Sequence, residues 1–314
     1  MCIAACLLLR ADVLAIDTKL SQALSNYIMA GFYETQGNTD TAIREYKKAL
    51  RLDEQNPVIH LDLAVNYIKK NDTEKAIEEL NLAVKFDPEA VQPHAFLALL
   101  YSSLSKPKEA NKEYELAFRN ASKLQPENIE LYNILGIIYL RQNRLQEAEG
   151  VFKLILKLAP DNAPAHFNLA AIYDGQKRRP QAEEELKQAI ALRPDYAEAL
   201  NYLGYLYAEE NKNLDQAQIL IRKALEIDPG NGAYIDSLGW LYFKQGKYTE
   251  ALAELKKAAF LLEDPVIYDH LGDAYFKLND FENAKINWQK SLGLDPKQDK
   301  LKNKIEELNA AQRN

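Results

Sequence analysis

The chain has 314 residues, 47% of them hydrophobic, with only 12 glycines and 12 prolines, and this composition fits neither an all-β nor a disordered protein. Its net charge of −7 argues against nucleic-acid binding, which needs a basic face to displace counterions, and is explained by solubility alone. Both cysteines lie in the first six residues, so the body of the chain carries neither a disulfide framework nor a thiolate metal site.

The first residues, MCIAACLLLRADVLAIDTK, carry features of an export signal. The apolar run Ile3–Leu9 is too short to span a bilayer but resembles the hydrophobic region of a secretory signal. Val13–Ala15 has the small-residue pattern of a cleavage site, and Ile3–Cys6 resembles a bacterial lipoprotein box. Against both interpretations, no basic segment precedes the run and two charged residues interrupt the stretch. Segment 1–22 is therefore either a signal, whole or truncated, or the second helix of a degenerate repeat.

From residue 23 onward the sequence repeats itself, usually at intervals of 34 residues. A tyrosine, preceded by a leucine–small pair in most repeats, is followed nine or ten residues later by an alanine, and a proline closes most repeats. The recurring alanines are Ala42, Ala76, Ala110, Ala148, Ala182, Ala217, Ala251 and Ala284. The recurring tyrosines are Tyr33, Tyr67, Tyr101, Tyr139, Tyr173, Tyr207, Tyr242 and Tyr275.

This pattern resembles the tetratricopeptide repeat. The resemblance implies an all-α fold, a right-handed superhelical solenoid of antiparallel helix pairs, closed by a C-terminal capping helix. The eight predicted repeats are 23–56, 57–90, 91–128, 129–162, 163–196, 197–231, 232–264 and 265–298. Segment 299–314 holds the cap, a helix at about 299–311, and the tail.

Helix packing and turn geometry explain the residue types that recur at the repeat positions. The eighth residue of every repeat is alanine or glycine, which lets the second helix approach the first closely. The turns GNTD, KNDT, QGKY and LNDF offer Gly or Asn for a left-handed helix end. The third repeat has four extra residues within FRNASKLQ, the sixth has one within ENKNL, and the seventh is one residue short. Because the pattern stays in phase around these changes, we expect them in turns between helices.

The positions of the four histidines test the hypothesis that the chain is an enzyme. His60, His94 and His166 are each the fourth residue of their repeat, a packing position, whereas His270 could face a groove. No zinc-binding H-E-x-x-H, glycine-rich phosphate loop or G-x-S-x-G is present. The sequence therefore predicts a protein that is not an enzyme and has no catalytic residue, cofactor or metal.

In tetratricopeptide repeat proteins the first helices line a concave groove. Carried onto this chain, the resemblance implies a protein-binding groove with aromatic and acidic side chains. Its predicted residues are Asn133, Phe167, Asn168, Asn201, Tyr205, Asp236, Trp240, Phe243, Asp269, Asp273 and Phe276. In one interpretation Tyr205 and Trp240 anchor apolar residues of a partner, and the aspartates attract its basic residues. In the other, Trp240 belongs to the core and the acids form a solvated face.

Segments 199–252 and 264–292 resemble repeat proteins of Gram-negative bacteria, many of which carry export or lipoprotein signals. This resemblance favours a periplasmic or outer-membrane-associated location, with the cytoplasm as the alternative. The expected function is a scaffold for protein or peptide partners with apolar and basic segments. The alternative is an accessory subunit of an envelope enzyme or of a secretion or polysaccharide-export complex. Neither a nucleic-acid partner nor a transmembrane segment is expected, and the oligomeric state is left open.

Overall fold

The computed structural model describes the backbone of residues 2–311 and the side chains of residues 18–310. Within this range the chain forms seventeen α-helices and no strand, which confirms the all-α prediction. The helices are α1 (Cys2–Thr35), α2 (Thr39–Leu52), α3 (Pro57–Lys69), α4 (Thr73–Phe86), α5 (Val91–Ser103), α6 (Pro107–Leu124), α7 (Ile129–Arg141), α8 (Leu145–Leu158), α9 (Ala163–Gly175), α10 (Arg179–Leu192), α11 (Ala197–Glu209), α12 (Leu214–Ile227), α13 (Gly232–Lys244), α14 (Tyr248–Leu261), α15 (Pro265–Lys277), α16 (Phe281–Leu294) and α17 (Asp299–Ala311).

The helices form two compact bodies, Met1–Val151 and Phe152–Asn314, with the division inside α8. In the N-terminal body α1 packs with α2, α3 with α4 and α5 with α6. In the C-terminal body the pairs are α9–α10, α11–α12, α13–α14 and α15–α16, and the predicted capping helix α17 packs on α16. Within each body the second helix of one pair contacts the first helix of the next, so neighbouring pairs share their apolar core.

The turns inside the helix pairs follow the predicted chemistry. The backbone is left-handed at Gly37, Asn71, Gly246 and Asn279, with φ between 58° and 76°. These are the Gly and Asn residues expected to end the first helix of a pair, because they adopt this conformation at least cost. Asp72 then caps the start of α4, where its carboxylate accepts a hydrogen bond from the backbone N–H of Lys75.

The four extra residues of the third repeat do not lie in a turn, so that prediction was wrong. They extend α6, which has 18 residues where most second helices have 14. FRNASKLQ contains no glycine or proline to break the helix, and four residues make about one helical turn, which preserves the phase. The extra residue of the sixth repeat does lie in a turn, where Asn211 and Asn213 both have positive φ.

Small residues at the eighth repeat position allow the close helix contacts that were predicted. A Cβ atom added to Gly272 would lie 2.2 Å from the Cδ1 atom of Trp288 in the second helix of its pair. A Cβ atom on Gly204 would lie 2.6 Å from Cγ1 of Ile221, so α11 and α12 leave no space for a methyl group there.

Three histidines join the two helices of a pair. In each case Nδ1 lies 2.6 Å from a glutamate on the second helix, and Nε2 faces a carbonyl oxygen of the preceding linker at 3.0–3.3 Å. The pairs are His60–Glu79, His94–Glu113 and His166–Glu185. These histidines therefore have a structural role at a packing position, as their repeat position predicted.

Helix α1 continues without a turn from Cys2 to Thr35, so no break separates residues 2–22 from the first repeat. The residues on which the predicted export signal rests, among them Cys2 and Cys6, lie outside those whose side chains are described. In the described part of the chain, no helix combines the length and hydrophobicity that crossing a membrane requires.

Candidate functional site

The first helices of the C-terminal body line a common groove. Side chains from α9, α11, α13 and α15, together with the linker before α15, enclose a cavity of about 440 Å³, which we call the tyrosine groove. Its lining residues are Phe167, Glu198, Asn201, Tyr202, Tyr205, Ala233, Tyr234, Asp236, Ser237, Leu262, Asp264, Val266 and Ile267. Four of the predicted groove residues, Phe167, Asn201, Tyr205 and Asp236, are thus brought together.

Aromatic rings form one wall of the tyrosine groove and are held in place by their neighbours. The ring of Phe167 lies 5.2 Å from that of Tyr196 and 6.1 Å from that of Tyr202, between ring centroids. The hydroxyl of Tyr202 donates a hydrogen bond of 2.9 Å to the carboxylate of Asp174. This wall is therefore preorganised and offers an apolar surface of mutually tilted rings to a ligand.

Asn201 lines the tyrosine groove and has a buried amide oxygen that is unsatisfied. Its Oδ1 atom is buried and has no hydrogen-bond partner within the described chain. A buried polar atom without a partner costs about 1–3 kcal/mol, so rotation of the amide toward an N–H donor of a ligand would recover this energy. A side-chain amide pairs readily with a peptide group, because it carries a donor and an acceptor side by side.

The polar lining of the tyrosine groove is acidic, and none of its lining residues is a lysine or arginine. Asp264 is engaged, because its carboxylate accepts a hydrogen bond of 2.8 Å from the backbone N–H of Val266 at the start of α15. Glu198 has no ion-pair partner among the described residues. Burial, together with the carboxylates of Glu209 and Asp236, raises the pKa of Tyr205 above its ordinary value. The Tyr205 hydroxyl therefore stays protonated and can donate a hydrogen bond.

Trp240 is buried beside the groove, as the interpretation that places it in the core expects and the interpretation that makes it a partner anchor does not. Only 7% of its surface is exposed. Its ring stacks on Phe243 at 4.8 Å and on His270 at 4.0 Å, and its Nε1–H donates to Glu209 at 2.7 Å. Two rings of the chain itself thus stack on the indole, which leaves little of its surface for a ligand.

Asp236 and His270 form a buried pair next to this stack. Nδ1 of His270 lies 2.9 Å from the carboxylate of Asp236, and both residues are buried. His270 therefore does not take the groove-facing orientation that its repeat position allowed. Burial would lower the pKa of His270, but the charges of Asp236, Asp269 and Asp273 outweigh it and raise this pKa. Asp236 is therefore neutralised inside the chain and is not a free charge for a partner.

Asp269 and Asp273 are also engaged within the chain, by a residue of the capping helix. Nζ of Lys304 in α17 lies 2.8 Å from Asp269 and 2.6 Å from Asp273. The interpretation in which these two aspartates are free to attract basic residues of a partner is therefore not supported. A second cavity of about 480 Å³ lies beside this ion pair and includes the predicted Phe243 and Phe276.

The two remaining predicted residues lie outside both cavities. Asn168 is on α9, and its Nδ2–H donates to the carbonyl of Pro164 in the same helix at 3.0 Å. Asn133 is half-buried on α7 in the N-terminal body. Neither position adds a group to the tyrosine groove.

Sequence reasoning missed several residues that shape the two cavities. Tyr234 and the linker residue Leu262 line the tyrosine groove, although the repeat pattern does not place them on its concave positions. The shortened seventh repeat could have indicated that this linker lies at the groove, since it leaves only three residues between α14 and α15. Nothing in the sequence indicated that Lys304 pairs with Asp269 and Asp273.

Comparisons with known proteins agree with this architecture. The family model described as cilia and flagella-associated protein 70 C-terminal domain matches residues 17–234. Two tetratricopeptide repeat models match residues 232–259 and 266–298. No curated protein matches the sequence significantly.

Solved structures of similar fold include two at low sequence identity. The crystal structure of the APC/C hetero-tetramer Cut9-Hcn1 has a TM-score of 0.57 at 17% identity, over 93% of this chain and 70% of that one. Yeast Tom70 has a TM-score of 0.50 at 19% identity, over 95% of this chain and 65% of its own. Because the first family model spans more than two thirds of the chain and repeat models match most of the remainder, this is a tetratricopeptide repeat protein that belongs to the family of the cilia and flagella-associated protein 70 C-terminal domain.

Proposed function

We propose that this protein is a non-catalytic scaffold that binds a segment of a partner protein in the tyrosine groove. The observation that carries the proposal is the groove itself. Four consecutive first helices bring an aromatic wall, an unpartnered amide and an unpaired carboxylate to one open cavity. An apolar cavity with a few convergent polar groups is the usual form of a binding site.

The groove chemistry defines the partner segment. The aromatic wall and a volume of about 440 Å³ suit one or two apolar side chains. Asn201 suits a backbone peptide group, and Glu198 suits a lysine or arginine of the same segment. We therefore propose a partner segment in which a basic residue lies next to an aromatic or aliphatic one.

Two candidate catalytic groups of this groove are engaged within the chain, which supports the proposal of a scaffold. The hydroxyl of Ser237 donates to the carbonyl of Ala233 in its own helix at 3.0 Å, so no base activates it. His270, which contacts the lining residue Asp236, is buried and paired with it. Support for a scaffold also comes from the similar fold of Cut9, which forms a hetero-tetramer with Hcn1.

Selection of a random peptide library displayed on phage tests this proposal. We expect wild-type protein to enrich peptides with a basic residue beside an apolar one. Against a fluorescent peptide of the selected sequence, we expect Asn201→Leu to weaken binding about tenfold, which corresponds to about 1.4 kcal/mol. The same change should leave stability unchanged or raised, because it removes a buried acceptor that has no partner.

Glu226→Gln is the matched control for a second variant, Glu198→Gln. Both remove one carboxylate from an exposed helix position, but Glu226 lies on α12, outside the groove. We expect only Glu198→Gln to weaken the peptide and to reduce the salt dependence of its binding. Unchanged affinity in both Asn201→Leu and Glu198→Gln would show that the groove is not the binding site.

We propose further, on the sequence resemblance of segments 199–252 and 264–292, that the partner belongs to a bacterial envelope complex. The protein would then act in the periplasm or at the outer membrane as an accessory subunit of an enzyme or export machine. Cell fractionation with N-terminal sequencing decides this point. Recovery in the envelope without residues of segment 1–22 supports export, whereas recovery only in the cytoplasm with Met1 intact contradicts it.

A further inference from the structure

The cavity of about 480 Å³ beside Lys304, which we call the terminal cavity, lies between α13, α15, α16 and the capping helix α17. Most of its lining is apolar. The apolar lining residues are Phe243, Phe276, Phe281, Trp288 and Leu308. It is therefore suited to an apolar side chain, and the partner segment proposed above contains such side chains.

The aromatic rings of the terminal cavity hold one another in place. The ring centroid of Phe276 lies 5.5 Å from that of Phe281 and 5.6 Å from that of Trp288. The Nε1–H of Trp288 donates a hydrogen bond of 3.0 Å to the carboxylate of Asp273. A ligand side chain can therefore enter without first having to order these rings, which lowers the cost of binding.

The aromatic lining is confined to the end of the repeat array. Phe243 and Phe276 are the twelfth residues of the last two repeats. The twelfth residues of the six preceding repeats are Glu34, Ile68, Ser102, Leu140, Asp174 and Ala208. None of these is aromatic, so the terminal cavity is a feature of the last two repeats and the cap, and not of every repeat.

The terminal cavity and the tyrosine groove lie along the same face of two helices. Asp236 of α13 lines the tyrosine groove, and Phe243, seven residues later, lines the terminal cavity. Val266 and Asp273 stand in the same relation on α15. Seven residues complete almost two helical turns, so the members of each pair share a face and are about 10 Å apart along the helix axis. A single chain running along α13 and α15 therefore passes both cavities.

The surface between the two cavities carries more negative than positive charge. Asp269 and Asp273 share the single ammonium group of Lys304, and 28% and 18% of their side chains remain exposed. Lys277 and Glu307, which also line the terminal cavity, offset each other in charge. One carboxylate is thus in excess, so a chain that crosses this surface is favoured by a basic residue there and disfavoured by an acidic one.

We propose that the partner segment in the tyrosine groove continues along α13 and α15 and places a second apolar side chain in the terminal cavity, with a basic residue between the two apolar ones. This inference rests on the proposed function, because it concerns the same segment. The segment is extended, because a helix bonds most of its own N–H groups and leaves few for the unsatisfied amide oxygen of Asn201. An extended chain advances about 3.3 Å per residue, so the second apolar residue lies three or more positions from the first.

A second round of phage display tests the inference. The starting probe is the shortest selected peptide whose affinity still depends on Asn201 and Glu198, lengthened at each end by randomised residues. On wild-type protein we expect one of the two extensions to enrich an aromatic or aliphatic residue, three or more positions from the apolar residue of the probe, with lysine or arginine between them. In a fluorescent peptide of this sequence, replacing the second apolar residue with alanine should weaken binding about tenfold. Moving it next to the first should weaken binding equally.

Phe276→Ala connects the second apolar residue to the terminal cavity. In this variant the parent peptide and the alanine peptide should bind within about twofold of each other, because part of the cavity wall is gone. Phe260→Ala is the matched control, since it removes the same side chain from an exposed position on α14, outside both cavities. There the tenfold difference should persist. Circular dichroism checks that both variants fold, and the peptide series on wild-type protein needs no variant.

The outcomes separate this inference from the proposed function. Extensions that enrich no apolar residue would overturn the inference and leave the tyrosine groove as the binding site. An alanine peptide that binds as tightly as its parent would do the same, and so would a tenfold difference that persists in Phe276→Ala. Unchanged peptide affinity in both Asn201→Leu and Glu198→Gln would instead overturn both proposals.

Discussion

Trp240 is held on several sides by groups of its own chain. Phe243 and His270 cover its ring faces, Glu209 accepts its N–H, and Lys244 Nζ lies 4.7 Å from the ring centroid. We expect Trp240→Ala to lower the free energy of unfolding by about 3–5 kcal/mol, as truncation of a buried tryptophan does. Urea unfolding followed by circular dichroism measures this change.

Phe260→Ala is the control for Trp240→Ala, because 89% of the surface of Phe260 is exposed. We expect that variant to stay within about 0.5 kcal/mol of wild type. A Trp240→Ala protein as stable as Phe260→Ala would mean that the indole is not part of the core. Trp240 would then return as a candidate anchor for a partner.

Residue type and repeat position predicted which groove residues lie near each other. They did not predict which of these residues are already paired within the chain and which are free to bind a partner. Phe167, Asn201 and Tyr205 lie together as expected, because the helical period fixes the face on which each residue lies. The repeat pattern could not show that Asp269 is paired, since its partner Lys304 is 35 residues away on the cap. Long-range pairing depends on how helices pack, and a local pattern does not contain that information.

At the scale of helix elements, the glycine at the eighth repeat position sets how closely the two helices of a pair approach. We expect Gly272→Ala to destabilise the protein by about 1–3 kcal/mol, because the new methyl group would overlap the indole of Trp288. The measurement is the shift of the urea midpoint relative to wild type.

We expect Gly150→Ala, the same substitution at another glycine, to raise stability where Gly272→Ala lowers it. Gly150 lies within α8, and a Cβ atom there would meet no atom within 4 Å. Removing backbone freedom from the unfolded chain should therefore stabilise the protein by about 0.5–1 kcal/mol. If both glycine variants shift stability in the same direction, packing at Gly272 is not the controlling factor.

Helix ends were more predictable than helix lengths. Gly and Asn mark the turns because few other residues adopt a left-handed backbone cheaply, and Gly37, Asn71 and Asn279 confirm this. The one-turn extension of α6 was not foreseen, because inserted residues with good helix propensity extend a helix or lengthen a loop equally well. Tertiary packing of the added turn decides between the two outcomes.

For the whole molecule, shifted carboxylate pKa values predict how stability responds to acid. Burial opposes ionisation of Glu183, but hydrogen bonds from Lys187 and Lys212 outweigh it and lower its pKa to about 2. A carboxylate with a lowered pKa stabilises the fold above its unfolded value of 4.5 and loses this contribution as the pH falls. Asp62 and Asp273, whose pKa values are raised by burial, act in the opposite sense and soften this decline.

The histidines determine how stability changes as the pH rises above the acidic range. Burial alone would lower the pKa values of His60 and His270. The hydrogen bonds of His60 to Glu79 and to the carbonyl of Glu54, with the nearby carboxylate charges, together outweigh burial and raise its pKa, and Asp236 with the neighbouring aspartates does the same for His270. A histidine with a raised pKa stabilises the fold fully below its unfolded pKa, and this contribution is lost as the pH rises through the folded value. We therefore expect stability to be highest between about 4.5 and 6.5 and to fall on either side.

Urea midpoints measured across this pH range test the expectation. Two variants show which residues cause the decline in acid and which cause the decline above pH 6.5. Glu183→Gln should reduce the decline in acid. The double variant Asp236→Asn, His270→Gln should reduce the decline above pH 6.5, and it replaces both members of the buried pair so that neither charge is left alone. A midpoint that rises as the pH increases beyond 6.5 would contradict the assignment. Stability would then be governed by groups that deprotonate more readily in the folded chain than in the unfolded one.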